Sequence, residues 1–116
     1  MDTLSAASSE DIIALACERA NAIGMAACVA IVDAGAHLKA FRRMDGAFAG
    51  AVDVAQRKAR TSALFPLPSG EFGSMIVEHK LTGMELSNGG LAAFHGGLPI
   101  IPGGNNKEAI GVSSGT

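Results

Sequence analysis

The stretch of residues 27–42, with the sequence ACVAIVDAGAHLKAFR, decides the fold of this chain. Its first six residues are continuously apolar and partly β-branched, which is typical of a strand buried on both faces. Residues 33–36 form a turn signal, and polar and apolar residues alternate over 37–42. The stretch therefore predicts a β-hairpin with a buried first strand over 27–32 and a second strand over 37–42.

Three helices are predicted around this hairpin. Before it, a Ser-x-x-acid capping box at Ser8 and Asp11 leads into apolar residues at helical spacing. This pattern predicts a helix over about 9–22 with acidic residues in its first turn. After the hairpin, small apolar residues predict a second helix over 51–64 that can pack close to a sheet. Two prolines end it, and a shorter third helix is predicted over about 69–80.

The last third of the chain is punctuated by glycine, with nine of the fifteen glycines at position 83 or later. Short apolar segments between these glycines predict three strands, over 91–94, 98–101 and 108–113. Residues 103–106, Gly-Gly-Asn-Asn, are the predicted turn between the last two strands. The element order is then αββααβββ, which indicates an α/β (α+β) domain with an antiparallel sheet.

Composition limits the function classes. A length of 116 residues with 48% hydrophobic residues fits one domain over residues 1–116. A net charge of −2, from nine basic and eleven acidic residues, argues against a nucleic-acid partner. No apolar run approaches the roughly 20 residues of a membrane span, and no signal peptide is evident, so a cytoplasmic location is expected. Cys17 and Cys28 lack metal-type spacing, and we expect both to be buried and unpaired, with no metal site.

Five short motifs carry a resemblance to a known family: VDAG at 32–35, FRRMDG at 41–46, KARTS at 58–62, GGLPI at 96–100 and AIGVS at 109–113. With these motifs in this order, the sequence resembles the GlcG/HbpS family, also called the haem-degrading-domain or DUF336 family. The resemblance covers most of the chain. It implies a five-stranded antiparallel sheet with helices packed on it, a profilin-like layout, and assembly as a homo-oligomer.

The chain departs from the family pattern at two places. The usual Asp-Ala-Gly-Gly turn is Asp33-Ala34-Gly35-Ala36 here, so only one glycine remains in it. The sequence also stops at Thr116, where family members continue into a C-terminal helix. Either this tail lies outside this sequence or the chain is a shortened member of the family, so residues 1–116 are expected to form a domain without this helix, and no oligomer contact made by the helix is predicted.

The resemblance implies two leading functions. Family members include haem-binding sensor proteins and domains that bind haem or a corrinoid, which implies a small-molecule-binding domain for haem or another tetrapyrrole. No Cys-x-x-Cys-His sequence is present, so haem would be bound non-covalently. Other members are encoded in catabolic pathways. They imply the alternative, a cofactor-independent lyase or isomerase acting on a small carboxylated, in some cases aromatic, metabolite. A non-catalytic assembly or sensor module is the third hypothesis.

Candidate cofactor-binding residues lie beside the GGLPI motif. His95 directly precedes Gly96 and Gly97, whose backbone N–H groups could cradle a carboxylate, a phosphate or a planar ring. The alternative for this pair, and for Gly89-Gly90, is a tight turn between short strands. Either His95 or His79 is a candidate iron ligand, because one neutral imidazole can ligate haem iron.

Candidate catalytic residues come from two other motifs. Arg43 is placed to bind a substrate carboxylate or a haem propionate with Asp45 orienting it, or else to pair with Asp45 and close the turn. Lys58 stands at the family's Lys-Ala-x-Thr position, as a base or imine-forming amine with Thr61 as hydroxyl partner. Arg57 and Arg60 on the same helix are expected to be solvated.

Near the end of the third predicted helix, Glu78 and His79 are adjacent. Both can transfer protons near neutral pH when their surroundings adjust their pKa values, so both are candidate acids or bases. The pair does not have the spacing of a zinc-protease motif. His37 is expected to be an ordinary polar residue.

Overall fold

The computed structural model describes residues 4–100 and 108–114, so the predicted turn at 103–106 lies outside the described residues. The elements in chain order are α1 (Ala6–Ala22), β1 (Ala27–Val32), β2 (Leu38–Arg43), α2 (Ala49–Leu64), α3 (Ser69–Glu78), a 3-10 helix (Met84–Leu86), β3 (Gly97–Pro99) and β4 (Ala109–Ser114).

The strands form one antiparallel sheet in the order β2-β1-β4-β3. All six residues of β1 are buried, which confirms the prediction of a strand covered on both faces. Cys28, Ala30 and Val32 belong to the cluster formed with α2, whereas Val29 and Ile31 belong to the cluster formed with α1. The sheet is therefore sandwiched between α1 on one face and α2 on the other.

Helix α2 packs very close to the sheet, as its small residues predict. Gly111 of β4 faces it, and a Cβ atom built there would clash with the Ala55 carbonyl oxygen and lie 2.6 Å from Ala59 N. Only glycine permits this approach. Alanines supply the helix side of the contact, at positions 51, 55, 59 and 63.

The antiparallel sheet with packed helices is confirmed, but the five-stranded detail is wrong: the sheet has four strands within residues 4–100 and 108–114. Residues 91–94 do not form a strand. Leu91 packs into a cluster with Phe72 and Ile76 of α3, and the Ala92 N–H donates to Thr61 Oγ1 at 3.1 Å. These contacts with the two helices replace the predicted strand pairing.

The start of α1 also differs from the prediction. The helix begins at Ala6, and the hydroxyl oxygen of Ser5 accepts a hydrogen bond from the Ser8 N–H at 3.0 Å. Ser5 is therefore the N-cap, and the first turn contains no acidic residue. The predicted capping box at Ser8 and Asp11 is wrong because Ser5 supplies the cap one turn earlier.

Cys17 and Cys28 are both buried and free, as predicted. Over the two described ranges, no helix has the length and apolar character required to cross a membrane. In the same ranges, no group of three or more His, Cys, Asp or Glu side chains could hold a metal ion.

Candidate functional site

The segment 91–96 crosses α3 and is pinned at both ends. Leu91 and Ala92 are buried at its start. At its end, the Ser69 hydroxyl donates to the Phe94 carbonyl oxygen and accepts from the Gly97 N–H at 2.8 Å. Between these anchors, the Phe94 side chain stays 53% exposed. The segment is therefore a fixed backbone that presents side chains on the surface.

A cleft of about 690 Å³, here named the α1–β4 cleft, opens on one side of this segment. A volume of this size is in the range of small-molecule sites. Its cationic and imidazole groups come from Arg19, Lys58 and His95. The rest of its lining is mostly apolar and comprises Ala16, Ala20, Ile23, Met25, Ala27, Phe94 and Val112, together with Gly96, Ser113 and Ser114.

A second cleft of about 450 Å³, here named the α3 cleft, lies against α3 and contains Glu78. Phe94 and His95 line both clefts. A third, largely apolar cleft of about 520 Å³ lies against α3 as well and includes Phe94 in its lining. The exposed Phe94-His95 step is thus the surface that the two named clefts share.

Lys58 is the buried cation of the α1–β4 cleft, with 7% of its surface exposed. Its Nζ donates to the Val112 carbonyl oxygen at 3.1 Å and lies 4.8 Å from the centroid of the Phe94 ring. No carboxylate forms a salt bridge with it among the described residues. Burial lowers the pKa of Lys58 because the charged ammonium is poorly hydrated there.

Thr61 does not serve as the predicted hydroxyl partner of Lys58. Its Oγ1 donates to the Arg57 carbonyl oxygen at 2.7 Å and accepts from the Ala92 N–H. Thr61 therefore attaches the segment 91–96 to α2, and it acts on the site only by fixing that backbone.

The His95 ring lies against Gly70 of α3. A Cβ atom built on Gly70 would overlap His95 Nδ1 and lie 2.6 Å from Cε1, whereas Nε2 is farther away than either. The side chain makes no hydrogen bond to any residue that the structure describes. The imidazole is consequently positioned by packing, with Nε2 on the side away from Gly70.

The glycines of the GGLPI motif have different surroundings. Gly96 lines the α1–β4 cleft with a φ of 132°, and a Cβ there would lie 2.7 Å from Lys58 Nζ. Gly97 is buried, its N–H is bonded to Ser69, and a Cβ there would overlap the Lys58 carbonyl oxygen. Gly96 thus borders the cleft, whereas Gly97 contacts α2.

Arg43 lies elsewhere. Its Nε and Nη2 donate to the Ala47 carbonyl oxygen at 3.3 and 2.9 Å, so the guanidinium closes the loop before α2 through a carbonyl rather than through Asp45. Arg43 is not among the residues that line either named cleft. The structure therefore does not bring the Arg43 guanidinium into the cleft that Lys58 lines.

The two adjacent candidates at the end of α3 separate. Glu78 lines the α3 cleft beside His95. His79 is the exposed C-cap residue of the helix, its backbone N–H donates to the Met75 carbonyl oxygen at 2.9 Å, and it lines neither named cleft. Glu78 and His95 share a site, whereas His79 lies at its margin.

Arg57 and Arg60 were expected to be solvated, but both side chains donate hydrogen bonds to backbone carbonyl groups. Arg57 Nη1 donates to the Gly89 carbonyl oxygen at 2.7 Å, and Arg60 Nη2 donates to the Asn88 carbonyl oxygen at 2.9 Å. Gly89 and Gly90 have φ values of 77° and 103°. This glycine pair is therefore a tight turn whose carbonyl groups are held by α2.

Arg19 and Phe94 are among the residues of the α1–β4 cleft that sequence reasoning missed. Arg19 lies in the last turn of α1, where a basic residue is favoured by the helix dipole in any case. Phe94 falls in a segment that was predicted to be a strand. Neither position carries a sequence signal that separates a site residue from an ordinary one.

Comparisons with known proteins agree with this architecture. The family model for "Haem degrading protein HbpS-like" matches residues 4–116. Protein GlcG of Escherichia coli K12 is 31% identical over 102 residues, which cover 88% of this chain and 75% of GlcG. The crystal structure of Klebsiella pneumoniae ORFY superposes with a TM-score of 0.91 at 30% identity, covering the whole of this chain and 81% of ORFY.

A crystal structure of PduOC in complex with haem has the same fold, with a TM-score of 0.82 at 24% identity over 99% of this chain and 85% of PduOC. Together, the family model that spans nearly the whole chain and the GlcG match identify its family. This chain belongs to the HbpS-like family.

Proposed function

We propose that this domain binds haem non-covalently in the α1–β4 cleft, with His95 as the iron ligand. The observation that carries the proposal is the His95 imidazole. It lies at an apolar cleft, is held by packing against Gly70, and has no hydrogen-bond partner in the described part of the chain. A neutral imidazole with a free nitrogen is the usual protein ligand of haem iron.

The other residues of the cleft fit this cofactor. The macrocycle is a large apolar ring, and the cleft offers alanine, isoleucine and methionine side chains together with the exposed face of Phe94. Arg19, which is exposed, lines the same cleft and can pair with a propionate. Bound haem would supply redox or oxygen chemistry, while these residues would bind and orient it.

The relatives support the same cofactor. The family description names haem, and the PduOC complex contains haem in a protein of the same fold. The cleft geometry adds a specific ligand to this general support. His95 is preferred over His79 because His79 lines neither named cleft.

Titration of the purified protein with haemin, followed by absorbance, tests the proposal. We expect a saturable change in the Soret band. His95→Ala should weaken binding by about tenfold or more, which corresponds to about 1.4 kcal/mol or more, because the variant cannot ligate the iron. His79→Ala is the matched control, because it removes an exposed imidazole that lines neither named cleft, and its titration should match that of the wild type.

Two results would contradict the proposal in different ways. Absence of any saturable Soret change would rule out haem as the ligand. A saturable change that is unaffected by His95→Ala would leave haem binding intact but reject His95 as the iron ligand.

The second candidate function is a cofactor-independent lyase or isomerase acting on a small carboxylated metabolite. It is favoured by the placement of Lys58 and Glu78 in clefts that meet at the same Phe94-His95 step, which gives two proton-transfer groups around one site. Turnover of such a metabolite should survive dialysis against a chelator. Loss of turnover on dialysis, or full turnover in Lys58→Met, would count against this function, and full turnover in Arg43→Ala would reject the role predicted for Arg43.

We also propose that the domain forms a homo-oligomer. Val77 and Leu86 are 79% and 78% exposed, and burial of such apolar side chains between copies would be favourable. Light scattering coupled to size exclusion tests this: a mass above that of the 11.7 kDa chain is expected, and a monomer at all concentrations would contradict it.

A further inference from the structure

We infer that Lys58 forms a reversible imine with small 2-oxo acids that enter the α1–β4 cleft. This activity goes beyond haem binding and does not depend on it, although the two ligands would use the same cleft. The inference rests on how Lys58 is held, on what surrounds its amine and on the charge of the cleft.

The amine is buried but is reached from the cleft. Only 7% of Lys58 is exposed, yet the residue is part of the cleft lining. Within residues 4–100 and 108–114, its Nζ has one hydrogen bond, donated to the Val112 carbonyl oxygen at 3.1 Å. A neutral amine can keep this hydrogen bond while its lone pair remains available to attack a carbonyl carbon.

The surroundings favour the neutral amine. None of the described carboxylates pairs with Lys58. In the described part of the chain, the ammonium form is stabilised by the Val112 carbonyl and by the Phe94 ring, whose centroid lies 4.8 Å from Nζ. Burial also lowers the pKa of Lys58. Desolvation of a lysine in an apolar pocket is one of the established ways in which proteins obtain imine-forming amines.

The cleft selects the ligand class. Its lining is mostly apolar, which accommodates the carbon skeleton of a small molecule, and Arg19 is a cation that can pair with a carboxylate. A ligand that combines a carbonyl group with an adjacent carboxylate satisfies both Lys58 and Arg19. These are the features of a 2-oxo acid.

The reaction balances without another reactant. The lone pair of the neutral Lys58 amine adds to the ketone carbon and forms a carbon–nitrogen bond. Both amine hydrogens then leave with the former carbonyl oxygen as one molecule of water, and the carbon–nitrogen bond becomes double. No oxidation or reduction takes place, and hydrolysis reverses the step.

The test uses the full chain free of haem, with pyruvate as the 2-oxo acid and cyanoborohydride to reduce any imine to a stable amine. The other three lysines of the chain, at positions 39, 80 and 107, act as internal controls in peptide mapping by mass spectrometry. At pH 7 we expect Lys58 to be labelled more strongly than the exposed Lys39 and Lys80, because burial lowers its pKa and so raises the fraction of neutral amine, and because only Lys58 lies in the α1–β4 cleft beside Arg19. Equal labelling of these lysines, or no label on Lys58, would overturn the inference.

Variants define the two roles. Lys58→Arg keeps the cation and a donor for Val112 but cannot form an imine, so it should lose only the label at position 58. Arg19→Ala should reduce labelling by pyruvate while leaving labelling by propanal, which has no carboxylate, unchanged. Equal loss with both compounds would reject Arg19 as the carboxylate partner. Failure of haem binding would not affect any of these results, because no haemin is present.

Discussion

The face of α2 that packs on β4 and the segment 91–96 that packs on α3 use the same structural device with different outcomes. In each, a glycine lets two backbones meet: a Cβ on Gly111 would overlap the Ala55 carbonyl oxygen, and one on Gly73 would overlap the Ala93 carbonyl oxygen. The α2–β4 contact is covered by alanine methyl groups and is fully buried. The segment on α3 instead leaves Phe94 53% exposed beside two clefts.

The difference shows that close backbone contact serves either a core or a site, depending on the side chains that follow it. Alanine methyl groups surround Gly111, so the contact at that glycine presents no polar side chain to a ligand. An aromatic residue and a histidine follow the contact on α3, so a rigid backbone presents groups that can bind. Lys58 joins the two regions, because it belongs to α2 and its Nζ contacts Val112 of β4 and the ring of Phe94.

The largest expected effect on stability comes from adding a side chain where the backbones of α2 and β4 are in close contact. Gly111→Ala places a methyl group on the Ala55 carbonyl oxygen and on the Ala59 backbone, which cannot move without shifting the helix. We expect a loss of about 3 kcal/mol or more in the free energy of unfolding, at the upper end for overpacked cores. Urea denaturation measures it.

Gly50 supplies the matched control, because it lies in the first turn of α2 and no atom is within 4 Å of a Cβ built there. Gly50→Ala should change stability by less than about 1 kcal/mol, and in the stabilising direction. If both variants lost the same free energy of unfolding, the close backbone contact at Gly111 would not be the reason that glycine is required there.

The second change acts on the site rather than on the core. Gly70→Ala places a methyl group where the His95 imidazole lies, and a side chain can rotate away where a backbone cannot. We expect haemin affinity to fall by about tenfold, which corresponds to 1.4 kcal/mol, while stability changes by less than that. Parallel haemin titration and urea denaturation separate the two quantities. A variant that binds haemin like the wild type would show that the ring position does not matter.

The third prediction concerns Lys58, which joins the two regions, and the pH dependence of the free energy of unfolding. Burial lowers the pKa of Lys58 below its ordinary value of 10.5 in the folded protein. Between the lowered value and 10.5, the unfolded chain binds more protons at this residue than the folded protein does. The free energy of unfolding should therefore rise with pH through this window.

Lys58→Met should abolish this rise, so the difference in stability between wild type and variant changes with pH only within the window. Burial also raises the pKa of Cys28, which makes the folded protein less stable as pH rises, but that contribution is present in both proteins and cancels in the difference. His95 and Arg19, the other basic groups of the cleft, are likewise present in both proteins. Parallel urea denaturation curves between pH 7 and 10 provide the measurement, and identical pH slopes would contradict the prediction.

The core was predictable from sequence because its signals are local. The apolar run of β1 and the alanine spacing of α2 each specify burial without reference to the rest of the chain. The segment 91–94 looked like a strand for the same reason, since short apolar runs between glycines fit strands. Its actual conformation depends on Thr61 and Ser69, which belong to two different helices.

The candidate site was only partly predictable, because it is assembled from distant positions. His95, Gly96 and Lys58 were chosen from motifs and do meet at one cleft. Arg43 was chosen in the same way, but its guanidinium binds the Ala47 carbonyl oxygen and does not line this cleft, because the sequence does not indicate which way a side chain at a strand end points. Arg19 comes from α1, and only the order β1-β4 in the sheet brings that helix beside the end of β4.

The smallest expected effect on stability concerns Ala36, in the turn between β1 and β2. Ala36 has a φ of 66°, a left-handed conformation that costs an alanine about 1–2 kcal/mol. Ala36→Gly removes that strain, but it also removes a buried methyl group worth about 0.8 kcal/mol and adds about 0.5–1 kcal/mol of chain entropy to be lost on folding. These contributions nearly cancel.

Ala30→Gly in β1 is the control. It carries the same two costs with no strain to relieve, because Ala30 is buried in the same cluster but lies in a strand. Urea denaturation should therefore find Ala36→Gly about 1–2 kcal/mol less destabilising than Ala30→Gly, and equal losses would mean that the left-handed turn carries no strain.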